Sequence, residues 1–148
     1  NAYSGANKGA SVTIRQFGNS NTVDAVCGDN EVGCNNADIN WLYTGDNNSL
    51  YFRANGSDLV SHTNVSGSNN DFNVLMDGYA HTQIVGVTGN YNEFNLSQTS
   101  LGGVGSSIVI NQTGDSTTYN VSQSGSVDSV LNINSFSNNG NFNISQHN

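Results

Sequence analysis

Residues 12–26 read VTIRQFGNSNTVDAV. Val12, Ile14 and Gln16 occupy every second position before Gly18, and Val23 and Ala25 do so after Asn21. A period of two marks a strand, whose successive side chains point to opposite faces. The Gly-Asn-Ser-Asn segment between the two arms is made of turn formers. The stretch therefore predicts strand, tight turn, strand.

The same unit recurs along the chain. Positions equivalent to Gly18 are Gly45, Gly67, Gly89, Gly114 and Ser137, at spacings of 27, 22, 22, 25 and 23 residues. One long interval holds the cysteine-containing stretch CGDNEVGC and another holds LGGVGSS at 101–107. The underlying period is about 22, which is a repeat architecture. Units run approximately over 11–36, 37–58, 59–80, 81–105, 106–128 and 129–148. Residues 1–10 lack the alternation and are expected to be a flexible arm or a docking segment.

One strand–turn–strand unit cannot bury its apolar face alone. Stacking solves this, because each arm then hydrogen-bonds to the same arm above and below. The expected fold is all-β, a two-sheet β-solenoid of six stacked repeats, rising roughly 4.8 Å per repeat. Columns of equivalent residues follow. The core is expected at Ile14, Trp41, Phe72, Phe94, Ile110, Tyr119 and Ile144. Asn21, Asn48, Asn70 and Asn92 form one inward amide column, and Gln98, Gln123 and Gln146 another; Gln16 and Gln112 share a position on the first arm. Buried amides are costly unless bonded, and a column satisfies itself when each amide donates to one neighbour and accepts from the other. Asn73, Asn95, Asn120 and Asn143 share an outward position and are expected to form a surface ladder or simply a soluble face.

Composition agrees with a solenoid. The 148 residues are 34% hydrophobic and 9% charged, and none is proline, so every backbone N–H is available to a ladder. Edge protection by Pro is absent, and Lys8 is the sole lysine. A net charge of −8 argues against a nucleic-acid partner, which needs a basic stripe. It favours solubility before assembly, or a salty surrounding. No apolar run is long enough for a membrane-spanning helix, and no signal peptide is visible. The chain starts at Asn1 and its one methionine is Met76, which suits a mature exported form or a trimmed chain. In an exported protein Cys27 and Cys34 are expected to close a small loop as a disulfide.

The chemistry-bearing residues do not converge. No GxSxG, HExxH, P-loop or GxGxxG pattern occurs, and no enzyme activity or cofactor is expected. His62, His81 and His147 are expected at exposed or turn positions. Asp29, Glu31 and Asp38 in or beside the cysteine loop are a weak calcium set that matches no EF-hand or nonapeptide calcium repeat. Asp24, Asp46, Asp71, Glu93 and Asp115 are expected to decorate turns and the solvent face.

The pattern apolar-x-apolar-x-Gln-x-Gly-x-x-Asn-x-apolar-x-apolar-x-Gln resembles the curlin repeat of bacterial curli amyloid fibres. Unit one carries Gln16, Gly18 and Asn21 but Cys27 at the final position. Unit five, IVINQTGDSTTYNVSQ, carries Gln112, Gly114 and Gln123 with Thr117 for Asn. Gly89, Asn92 and Gln98 match in unit four, and Gln146 in unit six. The resemblance spans roughly residues 11–148. It implies export through the outer membrane as an unfolded chain, with partners in the secretion and nucleation machinery. It also implies nucleated extracellular assembly into fibres of the biofilm matrix.

The expectation is therefore a secreted structural subunit that polymerises with itself, first repeat against last repeat of a neighbour. The alternative is a monomeric solenoid binding module, adhesin-like or ice-binding, although Thr is sparse for ice.

Overall fold

A computed structural model describes residues 2–3, 9, 11–28, 33–100, 105–125 and 129–147. The strands are β1 (Ala2–Tyr3), β2 (Ser11–Phe17), β3 (Thr22–Cys27), β4 (Asp38–Thr44), β5 (Ser49–Ser57), β6 (Val60–Ser66), β7 (Asp71–Tyr79), β8 (Thr82–Thr88), β9 (Glu93–Ser100), β10 (Ser107–Thr113), β11 (Thr118–Ser124), β12 (Val130–Phe136) and β13 (Asn141–His147). Even-numbered strands form one sheet in the order β2-β4-β6-β8-β10-β12, and odd-numbered strands form the other, from β1 to β13. All pairings are parallel. The chain is a two-sheet β-solenoid, as its alternation predicts.

Register follows the repeat. Ile14 pairs with Trp41, Trp41 with Thr63, Thr63 with Val85, Val85 with Ile110 and Ile110 with Ile133. Val23, Leu50, Phe72, Phe94, Tyr119 and Phe142 form the facing column. Because the side-chain period is two, this register keeps every apolar column on the core side. Rings meet across the core, Trp41 with Phe52 at 5.0 Å and Tyr43 with Phe72 edge-on at 5.1 Å.

The corner after each even strand explains the anchor glycines. Gly67 has φ +142°, and a Cβ there would stand 2.1 Å from the Gly45 carbonyl oxygen. The chain stacks so tightly at this corner that only hydrogen fits. Two residues on, Ser20, Asn47, Asn69, Tyr91 and Ser116 are all left-handed, with φ between 55° and 59°. The double excursion turns the chain from one sheet into the other.

Cys27 and Cys34 are joined by a disulfide with Cα atoms 5.5 Å apart. It ties the end of β3 to the buried Cys34 at the opposite corner and closes the insertion that lengthens the first interval.

Burial depends on height in the stack. Trp41, Phe72, Phe94, Ile110 and Tyr119 are sealed in the core. Ile14 is only partly buried, and Ile144, expected in the core, is 50% exposed. Both sit in core columns, but each belongs to an end rung with a neighbour on one side only. Gln16 and Asn21 are half-buried and Gln146 is exposed for the same reason. Of residues 1–10, Ala2 and Tyr3 pair back onto Val26 and Cys27 of their own chain. Beyond those two and Gly9, that segment lies outside the described residues.

Candidate functional site

Two surfaces are built by the repeat: the end faces and the outer faces. The end faces are sheet edges. β2 bounds the even sheet at the first rung, β12 bounds it at the last, and β13 bounds the odd sheet there. β12, VLNINSF, and β13, NFNISQH, contain no Asp, Glu, Lys or Arg. Such edges present unpaired backbone groups without the charges that ordinarily block pairing. At the first rung β1 covers Val26 and Cys27 of β3, the only such cover among the described residues.

Inside, amides run up the stack, and the expected side-chain bonds form in part: the Asn21 side-chain amide donates to Asn48 Oδ1 at 3.2 Å and that of Asn70 to Asn92 Oδ1 at 3.1 Å, while the buried Asn48 amide nitrogen has no partner among the described residues. Backbone donors share the same oxygens. Asn21 donates its backbone N–H to Asn48 Oδ1 at 3.0 Å, Asn48 to Asn70 Oδ1 at 2.7 Å, and Asn70 to Asn92 Oδ1 at 3.0 Å. Each asparagine thus closes the corner of the rung before it. The column stops at Asn92, because the next position is Thr117, whose buried hydroxyl has no partner among the described residues. The glutamine column is broken further. Gln123 donates to Gln98 Oε1 at 3.1 Å, but Gln98 donates to the Ser107 carbonyl and Gln146 to the Ser129 carbonyl. Carbonyls at the start of the facing strands lie within reach and capture the amides. Gln112 turns to the Gly114 carbonyl of its own rung and accepts from Ser135.

A second ladder was not foreseen. One residue after the anchor, Asp46 donates its N–H to Asn19 Oδ1, Ser68 to Asp46 Oδ1, Asn90 to Ser68 Oγ, Asp115 to Asn90 Oδ1 and Asn138 to Asp115 Oδ1, at 2.6–3.1 Å. It runs unbroken through all six repeats, with polarity opposite to the asparagine column. Asp46 and Asp115 therefore cap backbone donors as well as decorating turns. The signal was in the sequence: Asn, Asp, Ser, Asn, Asp, Asn, each with a side-chain oxygen.

The outer faces are polar with defined rows. Asn120 donates to Asn95 and Asn143 to Asn120, each at 2.8 Å, on the odd sheet. On the even sheet Thr44, Ser66, Thr88 and Thr113 form a row of hydroxyls, with Phe17 at its first end and Phe136 at its last. Beside that row a shallow groove of about 400 Å³ passes over Gly86, between Asn64 and Asn111.

The titratable groups do not gather. His62 is half-buried on the outer face and His147 is exposed. His81 lies at a turn, the second corner between β7 and β8, but it is buried there, between Leu59 and Ser106, and neither ring nitrogen has a partner among the described residues. Ala37, Leu59 and Ser106 at the same corner position are buried too, which the sequence around a lone histidine does not reveal. Burial lowers its pKa, opposed by Asp77 and Asp58. Burial, then Glu93 one rung along, raises Asp71, against a hydrogen bond from Asn73. Asp29 and Glu31 lie outside the described residues. Asp38 accepts from Asn40, and no cluster of metal-ligating side chains occurs among the described residues.

Comparison of the chain with protein-family models, with curated proteins and with solved structures finds no match in any of the three.

Proposed function

We propose that this chain is a structural subunit that stacks head to tail into an extracellular fibre. The observation that carries the reading is the pair of end rungs. Each presents parallel strands in the register of the repeat, and the last one lacks edge charges altogether. A contact between first and last rungs uses different surfaces on the two copies, so it does not close and it propagates. The curlin-like repeat motif supports an amyloid-type fibre of the biofilm matrix, export through an outer membrane, and a nucleating partner. In this role the chain is a building element and performs no catalysis.

The test is direct. Purified chain is incubated, imaged by electron microscopy and examined by fibre diffraction. Filaments with a meridional reflection near ~4.8 Å are expected, with strands perpendicular to the axis. A chain that stays monomeric at high concentration sinks the reading.

One observation favours a second reading, a monomeric binding module. The row Thr44, Ser66, Thr88 and Thr113 repeats a hydroxyl at every rung beside a groove, which suits a flat, periodic ligand surface. Loss of binding to such a surface on replacing Thr88 and Thr113 by Val, in a protein that forms no fibres, would establish it.

A further inference from the structure

Phe17 and Phe136 occupy the same position in the repeat, immediately before the anchor. Their column reads Phe17, Thr44, Ser66, Thr88, Thr113, Phe136, each residue pairing with the next. Aromatic rings stand only at its two ends. They are also the two most exposed large apolar side chains among the described residues, at 66% and 81%. An isolated exposed phenylalanine needs no explanation. Two of them in one column, one on each open edge, are a relationship.

We infer that the two ends are a matched pair, in which the last rung of one copy seats on the first rung of the next with Phe136 stacked on Phe17. The inference rests on the fibre reading and adds its register and its contact residues.

Three features of the fold converge on this register. The first is the geometry of rings in a column. Wherever consecutive rungs of the odd sheet carry rings in the Phe72–Phe142 column, the rings stack at 4.9–5.1 Å and within 13° of parallel. Phe136 and the next copy's Phe17 would be separated by the same one-rung step.

The second is the polarity of the two corner ladders. In one, a side-chain oxygen accepts the N–H of the following rung. In the other, an asparagine oxygen accepts the N–H of the preceding rung. Continued across the joint, Asn138 Oδ1 receives the Asn19 N–H of the next copy, and that copy's Asn21 Oδ1 receives the Gly140 N–H. The needed oxygen is present on each side. First rung against first rung would break both polarities.

The third is charge. In this register Arg15 lies beside Asn134 and Asp24 beside Asn143, so no like charges meet. A slip of one residue would turn every apolar column outward. A slip of two would separate Asn19 from Asn138 and Phe17 from Phe136.

The experiment uses the full chain with seeded elongation followed by light scattering and microscopy. Phe17→Ser and Phe136→Ser both remove exposed side chains, so the monomers should melt like the wild type. Each is expected to slow elongation on its own seeds by roughly tenfold, the scale of one aromatic contact with its buried area. The double variant should be little slower than either single one, because both changes remove the same contact. As a positional test, Phe17→Cys chains mixed with Phe136→Cys chains under oxidation should give a mixed disulfide-linked dimer, and neither variant alone should. Wild-type fibres with unaffected Phe→Ser variants and no mixed dimer would overturn the joint and leave the fibre reading standing. A wild-type chain that never assembles would overturn the fibre reading and the joint together.

Discussion

Phe94 lies flat against Tyr119, one rung along, with ring centroids 5.1 Å apart and planes 13° from parallel. Both rings are fully buried, yet the Tyr119 hydroxyl has no hydrogen-bond partner among the described residues. Burial accordingly pushes its phenol pKa up. The two residues make opposite predictions. Phe94→Ala should open a cavity in the stack and cost about 3–5 kcal/mol of unfolding free energy. Tyr119→Phe removes an orphaned polar group and keeps the stack, so it should be neutral or stabilising by up to ~1–3 kcal/mol. Chemical denaturation of the monomer reads both, and a marked loss from Tyr119→Phe would show that the hydroxyl has a partner.

The glycines separate by position. Gly67→Ala would drive a Cβ to 2.1 Å from the Gly45 carbonyl oxygen at a φ of +142°, and the obstruction is backbone. We expect failure to fold or a loss of several kcal/mol. Gly86→Ala meets only the Asn64 Oδ1, at 2.8 Å, the far end of a side chain. That change should alter stability by less than about 1 kcal/mol, while narrowing the groove. Circular dichroism and melting temperature distinguish the two, and equal effects would refute the corner geometry.

These contrasts mark how far the sequence could be read. Columns such as Phe72–Phe94–Tyr119 were legible because alternation and repeat spacing are properties of the chain itself. The anchor turn was legible from Gly67-Ser68-Asn69-Asn70. Bonds such as Gln98 to the Ser107 carbonyl were not, because the competing acceptor lies on the facing sheet, just across the corner, and is seen to be in reach only in three dimensions. The burial of His81 at its turn was hidden for a related reason: nothing local says which side of the second corner faces inward. Ile144 sits in its expected column but is half exposed, since β13 has a neighbouring strand on one side only.

His81 and Asp71 give stability opposite responses to acid. For His81 the folded pKa lies below the unfolded value of 6.5, so the unfolded chain takes up the proton first. Its contribution is complete above pH 6.5 and is lost as pH falls toward the folded pKa. His81→Leu, matching Leu59 in the same column, should flatten this part of the profile. Asp71 has a folded pKa above 3.8, so the folded chain takes up the proton first. Its penalty is present at neutral pH and lifts as pH falls through the folded pKa. Asp71→Asn should remove that lower-pH rise. Urea midpoints across the acid range test both, and an unchanged profile for His81→Leu would refute the burial of the imidazole.

Ile110 has no exposed surface and packs between β8 and the edge strand β12 of the even sheet. Ile110→Asp would bury a charge with no counter-ion, at a cost of several kcal/mol. Monomer stability should collapse and fibre formation should cease. The outward neighbour Asn111→Asp should do neither. Fibres from Ile110→Asp at the wild-type rate would refute the solenoid as the assembling state.

The N-terminal strand gives the last prediction. Ala2 and Tyr3 pair with Val26 and Cys27 on the edge of β3. By the register of the stack, the same two edge residues are those that Ser145 and Gln146 of a preceding copy would pair with in a fibre. β1 and an incoming last rung therefore compete for one edge, and β1 must leave before a joint can close along its full length. A two-residue strand is a weak competitor, so it should slow joining without preventing it. Deleting residues 1–4 should raise the seeded elongation rate by a few-fold and leave monomer melting nearly unchanged. Fusing a longer β-forming segment ahead of residue 2 should have the opposite effect on rate. An elongation rate indifferent to both changes would mean that the first-rung edge is not where copies join.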